Sequence, residues 1–133
     1  MTVKRLMLAL VLTLVMMFGA TASAHACDSI SGKWCGKRHS RAYNKRVLKE
    51  VAKKRGYSST DISRLMRIAK RESHWGNRAA NGPCKGMFQV NTHKSMKTWA
   101  NPYWNTNRAI SYIEKRYGSP AGAIRHIQRT GWY

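Results

Sequence analysis

The sequence predicts a mainly α-helical domain interrupted by one long loop. Apolar residues recur at three- and four-residue spacing in four stretches, the signature of helices with one buried face. Glycines and hydroxyl residues punctuate those stretches as helix stops and starts. Between the second and third stretch the period disappears, and Asn77, Asn81, Gly82, Pro83 and Gly86 supply turn chemistry.

The first 26 residues stand apart. Lys4 and Arg5 precede an uncharged apolar run from Leu6 to Phe18, and small residues follow up to Ala26. A basic start, a short apolar run and an Ala-x-Ala ending make a secretory signal peptide. The run is shorter than the about 20 residues that span a bilayer. Cleavage after Ala24 or after Ala26 fits, and the second would expose Cys27. Plain secretion, to the periplasm or cell wall, is the expectation. Lipid anchoring at Cys27 is the alternative, disfavoured by His25 just before the site. Residues 27–39 form a polar lead-in without a period, and 40–133 form the domain.

The first helix starts at Ser40 and places Tyr43, Val47, Leu48, Val51 and Ala52 on one stripe, with Gly56 as its stop. One residue of Ser58-Ser59-Thr60-Asp61 caps the second, which carries Ile62, Leu65, Met66, Ile68 and Ala69 to about Ser73. Met87-Phe88-Gln89-Val90, inside the loop, suits a strand or a helical turn equally. Asn101-Pro102 reads as a break, so the third helix is expected from Thr106 or Asn107 to Tyr117, with Gly118 after it. Ser119 and Pro120 are an N-cap and first helical residue, and open a fourth helix that turns Ala123, Ile124 and Ile127 inward and stops at Gly131.

Charge narrows the partners. The chain has 25 Lys and Arg against 5 Asp and Glu, a formal net charge of +20. Nucleic acid is the usual counterpart of such a balance. Export argues against it and points to anionic cell-wall polymers, anionic lipid head groups and the carboxylates of peptidoglycan. Of Cys27, Cys35 and Cys84, the last two pair most simply if Cys27 is lipidated or loose. Closing that loop would stabilise by about 3–4 kcal/mol. Pairing through Cys27 stays open, and no zinc-type spacing occurs.

Glu72 is the acid with the clearest chemical potential. It follows Leu65, Ile68 and Ala69 by seven, four and three residues, so it continues the apolar stripe of its helix. It also sits in the last turn, where the helix dipole disfavours negative charge. Both raise a carboxyl pKa, and a carboxyl that keeps its proton can protonate a leaving oxygen. The bland alternative is a boundary glutamate paired with Arg67, Lys70 or Arg71. The stretch from Glu72 onward is rich in Trp, Tyr, Asn and Gln, types that pack on sugar rings and bond hydroxyl and N-acetyl groups.

Ile68-Ala69-Lys70-Arg71-Glu72-Ser73 resembles the I-A-x-x-E-S signature of soluble lytic transglycosylase domains, in the lysozyme-like superfamily. Gly86-Met87-Phe88-Gln89-Val90 resembles that family's G-L-M/F-Q-I/V motif. Asn105 to Ile113 is similar to its N-x-N helix in shortened form, and the order and gaps agree. The likeness covers about residues 40–133 and implies a lysozyme-like helical domain with a substrate-cleft loop. It implies Glu72 as sole catalytic acid/base, and Ser73, Met87, Phe88, Gln89 and Tyr112 as substrate-side residues. The chain departs from the family near its end. Gln128-Arg129-Thr130-Gly131 stands where the family has a Tyr-Asn-x-Gly motif, leaving Tyr133, Tyr112 or His126 to take the tyrosine's place.

Glycosidases commonly use two carboxylates about 5–9.5 Å apart. Asp61 lies eleven residues before Glu72, about 16 Å along one helix axis. Glu50 and Glu114 fall on solvent-facing parts of their helices. The scarcity of acids favours a one-carboxylate mechanism. The resemblance implies that it cleaves the peptidoglycan bond between N-acetylmuramic acid and N-acetylglucosamine with a 1,6-anhydro product, and a monomeric enzyme without metal or cofactor is expected. A hydrolytic lysozyme and a non-catalytic cationic wall-binding protein are the alternatives.

Overall fold

The computed structural model describes residues 36–133. The signal-peptide, Cys27 and Cys35 expectations lie outside the described residues. Within them the elements run α1 (Arg41–Lys54), α2 (Ser59–Ser73), β1 (Ala80–Asn81), β2 (Cys84–Lys85), β3 (Val90–Asn91), α3 (Met96–Trp99), α4 (Pro102–Tyr117) and α5 (Pro120–Thr130).

The main helices begin where a side chain replaces the missing backbone partner of the first turn. Ser40 Oγ accepts from Tyr43 N at 3.1 Å, Ser58 Oγ from Asp61 N at 3.1 Å and Ser119 Oγ from Gly122 N at 3.0 Å. Asn101 Oδ1 accepts from Tyr103 N at 2.9 Å and Trp104 N at 3.3 Å. That last cap corrects the expected start of the third long helix. Asn101-Pro102 begins α4 rather than breaking the chain, by the same logic as Ser119-Pro120. Gly118 and Gly131 end α4 and α5 as expected.

Helix α4 is the centre of the packing, against α1 on one side and α5 on another, while α2 packs on α1 and α5. Val47, Leu48, Leu65, Ile68, Ile110 and Ile113 are wholly buried between them. Each such side chain contributes about 1.5–3 kcal/mol by leaving water. No helix among the described residues is long and apolar enough to cross a membrane.

The loop after α2 is more ordered than its composition suggests. Its three two-residue strands pair antiparallel in the order β1-β2-β3, Asn81 opposite Cys84 and Cys84 opposite Asn91. Three buried asparagines hold the surroundings. Asn77 donates to Lys37 O (2.8 Å) and Ala100 O (2.9 Å), and accepts from His39 N (3.1 Å) and Asn44 Nδ2 (3.3 Å). It therefore ties the lead-in and the end of α3 to the loop, and is not available to a sugar. Asn105 donates to Lys85 O (3.0 Å) and accepts from Phe88 N (3.0 Å), fastening the loop to α4. Gly86 is required beside it: its φ is +78°, and a Cβ would overlap the Asn105 carboxamide.

Candidate functional site

Helix α2 ends at the site. Its C-cap His74 and the next residue, Trp75, both adopt left-handed backbone (φ 50° and 60°), which L residues with side chains enter at a cost. Trp75 is held there by three contacts. Its Nε1 donates to Met66 O (3.1 Å), its carbonyl accepts from Asn44 Nδ2 (2.8 Å), and Lys45 Nζ stands 3.7 Å above its ring. The sharp exit turns the chain away just after Glu72. Ser73 then links helix and loop: its Oγ donates to Met87 O (2.7 Å) and accepts from Gly76 N (3.0 Å). Ser73 is thus a strut beside Glu72.

The loop returns across Glu72. Gln89 also has left-handed backbone, φ 48°, and its Nε2 donates to Gly86 O at 2.9 Å. The strained turn carries the Gln89 side chain to the cavity while Met87 and Phe88 on either side of the strut go inward. Both are wholly buried in the core. The expectation that Met87 and Phe88 line the cleft is corrected: they support its wall from behind, because a shared apolar core is the only place the turn leaves for them.

Glu72, Asn81, Cys84, Gln89 and Tyr133 surround a cavity of about 350 Å³. The Glu72 side chain is half-buried and has no hydrogen-bond or ion-pair partner among the described residues. Burial pushes its carboxyl pKa up, and the nearby Arg71 charge opposes this only in part. The ion pair with Arg71 that a bland boundary glutamate would make is not formed; the Arg71 guanidinium donates to Gly131 O instead.

Tyr133 closes the cavity. Its hydroxyl donates to Phe88 O, and its ring meets that of Tyr112 edge-on, centroids 6.0 Å apart. Burial, then the Glu72 charge, push its phenol well above the usual range, so it remains a neutral donor. Of the three residues that stood to replace the absent Tyr-Asn tyrosine, Tyr133 lies in the cavity with Glu72. Tyr112, partly exposed, lines an adjoining cavity with Gln89, Cys84 and Tyr133. His126 packs elsewhere, against Tyr117 and Trp132.

The other described acids are engaged away from this cavity. Glu50 bonds Lys54 Nζ (2.8 Å) and Tyr103 Oη (3.1 Å), Asp61 pairs with Arg64 (2.8 Å), and Glu114 pairs with Arg55 (2.7 Å) and accepts from Tyr57. Sequence reasoning missed Cys84 and Arg108 as cavity residues. For Arg108 a signal existed, since it precedes Tyr112 by one helical turn on the same face. Cys84 is half-buried and makes no disulfide among the described residues. No group of three or more His, Cys, Asp or Glu able to hold a metal occurs among the described residues. No protein family, curated protein or solved structure matches the chain.

Proposed function

We propose that the protein is a lytic transglycosylase that cuts peptidoglycan glycan strands, with Glu72 as its single acid/base. One observation carries the reading: a half-buried carboxyl of raised pKa, unpaired among the described residues, faces a cavity edged by amide and tyrosine side chains, while the other described acids, Glu50, Asp61 and Glu114, are bound elsewhere. The motif likeness around Glu72 and Gln89 supports the same choice.

In this mechanism protonated Glu72 gives its proton to the oxygen linking N-acetylmuramic acid to N-acetylglucosamine, and that bond breaks. The muramic N-acetyl group stabilises the electron-poor C1. The carboxylate then takes the proton of the muramic C6 hydroxyl, whose oxygen bonds C1 to close a 1,6-anhydro ring. Water is not consumed, and Glu72 ends protonated again. Gln89 and Asn81 are suited to hold hydroxyl and N-acetyl groups. The excess of Lys and Arg over Asp and Glu, which persists after residue 26, would concentrate the enzyme on anionic wall polymers.

The test is incubation of purified peptidoglycan with the chain and with Glu72→Gln, followed by mass spectrometry. Products one water lighter than hydrolytic ones, lost in the variant, are expected. Ordinary reducing ends would make the protein a lysozyme. Binding without cleavage would leave a wall-binding protein.

A further inference from the structure

The Glu72 cavity has a neighbour. Cys84, Gln89 and Tyr133 border both it and a more enclosed cavity of about 230 Å³, to which Asn91, Arg108 and Tyr112 also contribute. Whole small-molecule sites usually occupy about 300–1,000 Å³. The smaller cavity therefore suits a substituent of something seated over Glu72.

Its chemistry comes from one face of α4. Arg108, Tyr112 and Arg116 succeed one another at four-residue steps and share a stripe. The two arginines differ. Arg116 is occupied: its guanidinium stands 5.5 Å from the Trp132 ring centroid and 5.6 Å from that of Tyr117, and its Nε donates to Tyr117 Oη at 3.1 Å. Arg108 has no hydrogen bond or ion pair among the described residues, and no carboxylate lines its cavity. An unpaired guanidinium beside an amide and phenols presents the forked donor pair that a planar carboxylate accepts.

We infer that this cavity is a subsite for a carboxylate carried on the lactyl arm of muramic acid, and that Arg108 sets specificity for it. The inference rests on the glycan-strand reading above. Two sources share the chemistry: the free lactyl carboxylate of a peptide-free strand, and a carboxylate of an attached stem peptide. A carboxylate is favoured over a wall phosphate because the cavity is continuous in its walls with the one holding Glu72, so its occupant belongs to the strand being cut.

The test measures binding with ligands that contain no glycosidic bond to cleave. N-acetylmuramic acid and muramyl dipeptide, each beside its neutral amide, and inorganic phosphate are titrated into the wild-type chain and Arg108→Gln. Backbone amide shifts of Asn91 and Tyr112 report occupancy, and the remaining spectrum reports that the variant is folded. The wild type should bind at least one acid about 5–10-fold tighter than its amide. The variant should bind acid and amide alike, at the level of the amide. Which acid is preferred distinguishes the two sources. No preference for an acid, a preference that survives in Arg108→Gln, or a response to phosphate alone would overturn the subsite. Strand cleavage without acid preference would sink the subsite and leave the proposed function. Acid preference without strand cleavage would do the reverse.

Discussion

Glu72 and Glu114 are the same side chain in opposite settings. Glu114 lies on the outer face of α4 with its charge fully answered: Arg55 Nη2 is 2.7 Å from one oxygen, and the Tyr57 hydroxyl donates to the other. That Tyr57 phenol is pushed up to about 12 by burial and by the glutamate it serves. Glu72 sits at the end of α2 with no such partners, and desolvation raises its pKa. Burial without a cationic partner raises a carboxyl pKa and makes the group a better proton donor, which is the direction Glu72 takes. What separates a structural from a reactive acid here is the company each keeps.

The largest test of that contrast is exchange of each acid for its amide. Glu72→Gln should reduce strand cleavage by about 10²–10⁴-fold, and Glu114→Gln should leave it within about twofold of wild type. Stability should move the other way. A carboxyl whose pKa is raised on folding holds its proton in the native chain after the unfolded chain has lost it. Stability then falls as pH rises from the ordinary carboxyl range through the raised value. The Tm of Glu72→Gln should therefore exceed that of wild type by more at pH 7 than at pH 4. An advantage that does not depend on pH would break the comparison. For wild-type activity, the same raised pKa places the alkaline fall of the rate above the usual carboxyl range, which a pH profile of kcat/KM reads directly.

Gly86→Ala should damage the Glu72 region and spare the other. The new methyl meets Asn105 in left-handed backbone, a cost of about 2–4 kcal/mol. Cleavage should drop while spectrophotometric titration of Tyr57 stays near 12. A shifted Tyr57 would show that the two regions are coupled. Tyr133→Phe removes the part-buried hydrogen bond to Phe88 O, about 1 kcal/mol by chemical denaturation, and should weaken cleavage because the cavity wall beside Glu72 is less firmly held. The smallest effect belongs to Glu114→Gln, whose partly exposed ion pair is worth under about 1 kcal/mol. Its clearest sign should be a partial fall of the Tyr57 pKa below about 12, because burial, the larger cause of that value, remains in the variant.

The helices were legible wherever a side chain makes its own case. The stripes of Val47-Leu48-Val51 and Ile110-Ile113 and the Ser119-Pro120 start stand in the structure as read. Asn101-Pro102 carries the same start signal, but the polar run of Asn105, Thr106, Asn107 and Arg108 after it interrupts the apolar period. The four residues of α3 and the two-residue strands are too short to show any period at all. The likeness of motif implies Met87 and Phe88 at a cleft, but motif order says nothing of which way a strained turn points its neighbours, and both are buried.

The sequence by itself determined the helical class, the caps and the position of Glu72 on an apolar stripe, because these depend on residues within a few turns of one another. Tertiary structure alone decided that Glu72 has no ion-pair partner among the described residues while Arg71 bonds Gly131. It also brought Tyr133 into the cavity 61 positions along the chain from that acid, and left Arg108 without a hydrogen bond or ion pair among the described residues while Arg116 was engaged. Those outcomes depend on which distant groups arrive at the same few ångströms, and only the packing of α2, α4 and the loop between them sets that.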